Sequence, residues 1–152
     1  MAAGAVEVVR SLQPAPDVNL ADLFLRDADD ATVEASLTAI ASRYTDDFVC
    51  VLHALSSEEH PGVAGLRESW LDWIAPWESY RAEIDDVRAG ADGRVLVVGR
   101  DYGRRPGMTD EVELLASAVW TVRGGRISRA EFFTSRADAY RAAGLSPEGI
   151  AE

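Results

Sequence analysis

Three side chains in this sequence have the chemistry to move a proton: Asp101, Glu131 and His53. A carboxyl group set among aromatic rings loses hydration, its pKa rises, and it becomes able to give and take a proton near neutral pH. A histidine titrates in that range without help. Each also has a plainer role open to it. Glu131 could pair with Arg129, Asp101 could lie at the surface, and His53 could be a packed, hydrogen-bonded histidine. The second histidine, His60, falls in a polar loop over residues 56–62. The two histidines make no metal motif, and no cysteine or carboxylate spacing completes one. The acidic run Asp27-Ala-Asp-Asp-Ala-Thr matches no calcium loop and reads as a solvated turn with a helix cap. There is no G-x-S-x-G, no P-loop and no dinucleotide fingerprint, so no cofactor is expected.

The elements that must position these residues are legible from period and punctuation. Residues 111–133 read as a long β-hairpin closed by Gly124-Gly125. A two-residue turn there pairs Arg123 with Arg126. Counting outward then places Val122, Trp120, Ala118 and Ala116 on one face with Ile127, Arg129, Glu131 and Phe133. The opposite face carries Thr121, Val119, Ser117 and Leu115 with Ser128, Ala130, Phe132 and Thr134. It is small and semi-apolar, suited to helix packing or to a dimer. The first face combines two alanines, a void, a Trp, a Phe and a Glu, and is the expected pocket face. Asp101 lies on a strand over 94–104, centred on Val95-Leu-Val-Val, and His53 ends a strand over 48–53.

Large aromatics gather just before the strands. A helix over 63–75 shows an apolar stripe of Val63, Leu66, Trp70, Trp73 and Ile74 and is stopped by Pro76. Trp77 and Tyr80 follow at once. They could be ordinary core, or the aromatic wall of a ligand pocket. From Tyr80 the period becomes alternating, with Arg81, Glu83 and Asp85 on a polar outer face of a strand over 80–87. Earlier, Val6, Val9 and Leu12 mark a short helix broken by Pro14 and Pro16, and Leu20, Leu23 and Phe24 a second over 20–26. A longer helix opening at Thr32 and ending near Thr45 carries Val33, Leu37, Ile40, Ala41 and Tyr44 on one stripe. A final helix over 136–143 is closed by Gly144, and a tail follows. Helices segregated from an antiparallel meander make an α+β class.

Bulk properties narrow the function classes. The chain has 152 residues, 47% of them hydrophobic, which is ordinary for one domain with a real core. Its net charge of −11 disfavours nucleic acid, whose phosphates need a basic face. All fifteen basic residues are arginines, so any cationic subsite must be a guanidinium. No run is apolar enough to cross a membrane, and no signal peptide is visible. The single cysteine, Cys50, excludes an internal disulfide and fits a cytoplasmic setting.

Three stretches together resemble a known family. They are Gly62, Gly65, Leu66 and Trp70 on one helix, the hairpin segment Val-Trp-Thr-Val-Arg-Gly-Gly-Arg-Ile ending at Ile127, and Arg141-Ala-Ala-Gly-Leu145. The chain resembles the SnoaL-like branch of the nuclear transport factor 2-like superfamily, over about residues 32–145, with residues 1–31 as an N-terminal extension on a single domain of 1–152. The resemblance implies a cone-shaped, strongly curved antiparallel sheet wrapped around N-terminal helices. It also implies an apolar pocket for a small hydrophobic molecule, and a homodimer. Activities in that superfamily are isomerase, polyketide cyclase, dehydratase and epoxide hydrolase chemistry, beside non-catalytic transport and assembly roles. The expected catalytic set is therefore Glu131, Asp101 and His53, and the expected pocket is Trp70, Trp73, Trp77, Tyr80, Trp120, Arg129 and Phe133. Two departures stand out. Ala118 occupies the place where SnoaL-like cyclases carry an acid on the first hairpin strand. In Gly99-Arg100-Asp101 the arginine is one place off the Arg-x-Asp of limonene epoxide hydrolases and should face away from Asp101.

Overall fold

The computed structural model describes residues 4–53 and 55–146, so the C-terminal tail from 147 and the first three residues lie outside the description. The elements run α1 (Ala5–Arg10), α2 (Leu20–Leu23), α3 (Asp30–Ile40), a 3-10 turn (Ala41–Arg43), β1 (Tyr44–Leu52), β2 (His60–Pro61), α4 (Gly62–Ile74), β3 (Ser79–Ala89), β4 (Arg94–Arg104), β5 (Val112–Arg123), β6 (Arg126–Phe133) and α5 (Arg136–Ala142). One six-stranded sheet has the order β2-β1-β6-β5-β4-β3. It is curved and unclosed. All its pairings are antiparallel except one: β1 lies parallel to β6. A purely antiparallel sheet was the expectation. The parallel pair arises because β1 reaches β6 only through the long excursion of α4 and the meander, not through a hairpin.

Local chemistry explains most boundaries. Asn19 caps α2 and Asp29 caps α3, their side chains accepting from the N–H groups of Ala21 and Thr32. The helix expected to run to Thr45 gives way at Ala41, and β1 begins at Tyr44, four residues early. Tyr44 is buried and pairs with Ile127, so sheet pairing outcompetes the helical pattern of that stripe. β2 adds two residues of edge within the expected loop.

The main core lies between the inner sheet face and α1, α2 and α4, and contains Phe48, Cys50, Trp70, Ile74, Tyr80, Val95 and Ile127. A smaller cluster of Leu96, Val98, Val119, Ala139 and Ala143 sits on the outer face, where α5 covers the sheet. The helix-packing role foreseen for Val119's face is therefore filled by α5.

Beside the irregular β1–β6 pairing between Tyr44 and Val49, two bulges shape the sheet around the interior. On β3, Ile84 opposes Gly99 but Asp86 opposes Val98, leaving Asp85 as the extra residue. Gly99 has no room for a side chain: a Cβ there would stand 2.5 Å from the Glu83 carbonyl oxygen. The second bulge corrects the hairpin register. Gly124 and Gly125 both have positive φ, and Arg123/Arg126 and Val122/Ile127 pair as counted. Thr121 then opposes Arg129, so Ser128 is the extra residue. Every later residue of β6 changes face. Trp120 opposes Ala130 and Ala118 opposes Phe132, while Glu131 opposes Val119. The physical reason is burial. In the unbulged register Arg129 and Glu131 would enter the core, and Ala130 and Phe132 would leave it.

Candidate functional site

The curved sheet, α2, α3, α4 and the segment after α1 line a partly open cavity of about 350 Å³. Its floor is made by small and apolar residues on β4 and β5: Val97, Gly99, Ala116 and Ala118. Trp70, Trp73, Tyr80, Trp120 and Phe132 form aromatic walls. Trp70 is at once wall and core. It stacks on Phe24 at 5.6 Å and meets Phe132 edge-on at 5.0 Å. Helix α3 contributes Leu37 and Ile40, yet no residue of α3 is buried, so its apolar side faces the cavity incompletely covered.

Asp101 is the one carboxylate among the described residues that line this cavity. It points inward from β4, two positions beyond the Gly99 bend, and is 6% exposed. The Tyr80 hydroxyl donates to its Oδ2 at 2.7 Å. Trp73 on α4 donates its indole N–H to the Tyr80 oxygen at 2.8 Å. Direction follows from the donors: indole nitrogen can only donate, so the Tyr80 oxygen accepts there and its own proton goes to Asp101. Oδ1 takes no hydrogen bond among the described residues. Burial pushes the Asp101 pKa up from 3.8 to about 6, against the opposing pull of the Tyr80 hydrogen bond. The Tyr80 phenol is raised as well, by burial and then by the Asp101 charge, so it remains a donor at any working pH.

Glu131 and His53 do not join Asp101. They pair with each other outside the cavity, His53 Nε2 to Glu131 Oε2 at 2.9 Å, and Arg129 donates to the other Glu131 oxygen at 2.7 Å. Arg129 also bridges to Glu59, and His53 stacks on Phe133 at 4.4 Å. The expected convergence of Glu131, Asp101 and His53 on one cavity is thus corrected, and the cause is the Ser128 bulge. Desolvation raises the Glu131 pKa, but the hydrogen bonds from His53 and Arg129 outweigh it and bring the carboxyl below its usual range. That is the signature of a held anion, not of a proton carrier near neutral pH. Exchanging Glu131 for glutamine should accordingly lower stability at pH 7 by ~1–2 kcal/mol. It should leave cavity-ligand affinity within about twofold, as read by urea unfolding and tryptophan quenching. A larger loss of affinity would place Glu131 back in the site.

Among the expected pocket residues, Trp70, Trp73, Tyr80, Trp120 and Phe133 line the cavity; Trp77 and Arg129 do not. Trp77 packs behind it over Gly103, where an added Cβ would meet the indole at 2.5 Å. Arg100 faces outward, pairing with Asp85 and Glu113, so it leaves Asp101 without a cation. Cys50 is fully buried and its thiol is pushed up to about 12, which removes it as a nucleophile. Among the described residues no three His, Cys, Asp or Glu side chains gather to hold a metal. What sequence reasoning missed is the Trp73–Tyr80–Asp101 chain as a unit, although strand alternation already opposed Tyr80 to the outward Arg81 and Glu83. It also missed Arg43, Leu37 and Ile40, whose place depends on where α3 docks.

A cavity of this kind, walled by the curved six-stranded sheet, agrees with a family match covering residues 25–130, described as a SnoaL-like domain. The chain belongs to the SnoaL-like family. Comparison with curated proteins finds no match. Solved structures with the same fold include a SnoaL-like polyketide cyclase, so named provisionally, from Jannaschia sp. CCS1. It is 17% identical, with TM-score 0.59, covering 94% of this chain and 93% of that one. Another is a hypothetical protein with a ketosteroid isomerase-like fold from Catenulispora acidiphila, in complex with trimethylamine, 17% identical, TM-score 0.52, covering 74% and 85%. TerC, co-crystallised with polyporic acid, is 21% identical, with TM-score 0.53, covering 72% and 86%. At these identities the likeness is one of fold. No helix among the described residues is long and apolar enough to cross a membrane.

Proposed function

We propose that this SnoaL-like protein binds a small, mainly apolar molecule in its cavity and exchanges a proton with it through Asp101, with no cofactor. The observation that carries this reading is the state of that carboxyl group. It is the cavity's only carboxylate among the described residues, with one oxygen fixed by Tyr80 and the other without a hydrogen bond. A pKa near 6 lets it act as a base at neutral pH and return the proton as an acid. Burial of Asp101 beside an apolar lining strengthens a charge change there, because the local dielectric is low. Isomerisation, ring closure and dehydration of a molecule with a weakly acidic C–H or O–H all need such a group. The half-buried apolar residues Leu37 and Ile40 support occupancy, since a ligand would take their remaining exposed surface out of water.

The test has two parts. Quenching of the cavity tryptophans against a panel of apolar carbonyl and phenolic compounds should reveal a binder. Converted compounds should then lose ~10²–10⁴-fold in kcat/KM on changing Asp101 to asparagine, the range expected for removing a general acid–base group. Turnover that survives Asp101→Asn would defeat the mechanism, and a ligand bound but never converted would leave a carrier in its place.

A further inference from the structure

We infer that the ligand is elongated and carries an anionic group, a carboxylate or its like, at the end held by Arg43, far from Asp101. This rests on the proposed occupancy of the cavity but not on the chemistry of Asp101.

Two basic residues line the cavity, Arg43 and Arg67. Arg67 is committed: its Nε and Nη2 donate to the carbonyls of Phe24 and Leu25 at 2.8 and 2.9 Å. Arg43 is not. It is exposed, it forms no ion pair among the described residues, and one contact engages it, from Nη2 to the Ser11 hydroxyl at 2.9 Å. Ser11 in turn donates to the Val8 carbonyl, so its oxygen is oriented to accept from the guanidinium. The remaining N–H groups of that guanidinium, planar and suited to bidentate contact with a carboxylate, are left over. Of the two cavity arginines, it is the one whose donors are not committed to backbone carbonyls.

The register sets the distance. Arg43 immediately precedes Tyr44, which pairs with Ile127, and Ile127 pairs with Val122. Val122 donates to Gly93, next to the start of β4. Asp101 lies seven residues further along β4 than Arg94. At ~3.3 Å per residue the two backbone positions are separated by up to ~23 Å along the strands, less whatever the curvature and the reach of the Arg43 side chain remove. Between them the lining is apolar: Trp120, Ala118, Val97 and Gly99 in order along the floor. A compact neutral molecule would reach one end only. A long apolar body with a terminal anion satisfies both.

Dodecanoate and its neutral methyl ester provide matched probes, with dodecyltrimethylammonium as the opposite charge. The protein's overall charge of −11 favours the ammonium non-specifically, so a preference for the carboxylate must be local. Quenching titrations at pH 7.5 in low salt, below micelle concentrations, should show dodecanoate binding about tenfold tighter than the ester, as a charge-assisted hydrogen bond would give. Arg43→Gln should remove that ratio and leave the ester's affinity unchanged, and Arg43→Lys should restore part of it. Equal binding of acid and ester by the native protein, or an unchanged ratio in Arg43→Gln, overturns the inference while leaving an apolar cavity ligand intact. Failure of all three probes to bind overturns the elongated, anionic ligand, while cavity occupancy itself is decided by the carbonyl and phenolic panel, and loss of turnover on Asp101→Asn bears only on the proton chemistry.

Discussion

Changing Asp101 to asparagine is expected to stabilise the folded protein at neutral pH by ~1–3 kcal/mol, even as it removes the proposed proton transfer. The sign follows from linkage. The folded-state pKa of about 6 lies above the ordinary 3.8, so between those values the folded protein binds more protons than the unfolded chain. Stability from this group is full below pH 3.8 and is lost as pH rises through about 6. Asparagine is neutral at every pH and can still accept from the Tyr80 hydroxyl. The variant's advantage should therefore be largest above pH 7 and shrink towards zero near pH 4. Other titrating groups are shared by both proteins and cancel in the difference. Urea midpoints measured from pH 4 to 8 give the curve. A variant less stable than the parent at pH 7.5, or a difference that does not vary with pH, would show that burial does not hold this carboxyl in its raised state. A residue that costs stability where it sits is what a working site retains.

The second large effect belongs to Trp70. Alanine there should cost ~3–5 kcal/mol, the range for deleting a buried aromatic side chain. For a chain of this size that is on the order of 10 °C in Tm. Trp70 is 8% exposed and contacts Phe24 from α2's end, Phe132 from β6 and Tyr80 from β3, so it joins three parts of the structure. Its removal also enlarges the cavity beside Asp101. Phenylalanine keeps much of the ring contact and should lose less than half as much. Differential scanning calorimetry of the two variants checks this, and a loss below ~1 kcal/mol for alanine would make Trp70 a wall without a core role.

The α+β class, most elements and the inward aromatic run were legible because they rest on local signals. The 3.6-residue stripe of α4, the alternation from Tyr80 onward and the Gly124-Gly125 turn each declare themselves within a few residues. The site was legible only in part, and the difference lies in one residue. From the turn outward, two-by-two counting is correct for Arg123/Arg126 and Val122/Ile127 and fails at Ser128. No local pattern marks that bulge. Ser128 is neither glycine nor proline, and alternation of polar and apolar residues around it suits either register. What selects it is the global requirement that Ala130 and Phe132 meet Trp70 and Trp120, with Glu131 free to find His53 just after β1.

By itself the sequence determined which residues could face inward together on each strand, since strand geometry makes side chains alternate regardless of what they pack against. That put Asp101 in phase with Gly99 and Val97, and Trp120 with Ala118 and Ala116. Tertiary structure alone decided which strands' inner faces meet, and so which carboxyl is buried with a tyrosine and which is held as an anion by histidine and arginine. The reason is that burial and pairing depend on contacts between β3 and β4, and between β1 and β6, that are distant in the chain. Tyr80 and Asp101 stand 21 residues apart and His53 and Glu131 stand 78 apart. At such separations the electrostatic environment that sets a carboxyl group's pKa exists only once the chain has folded.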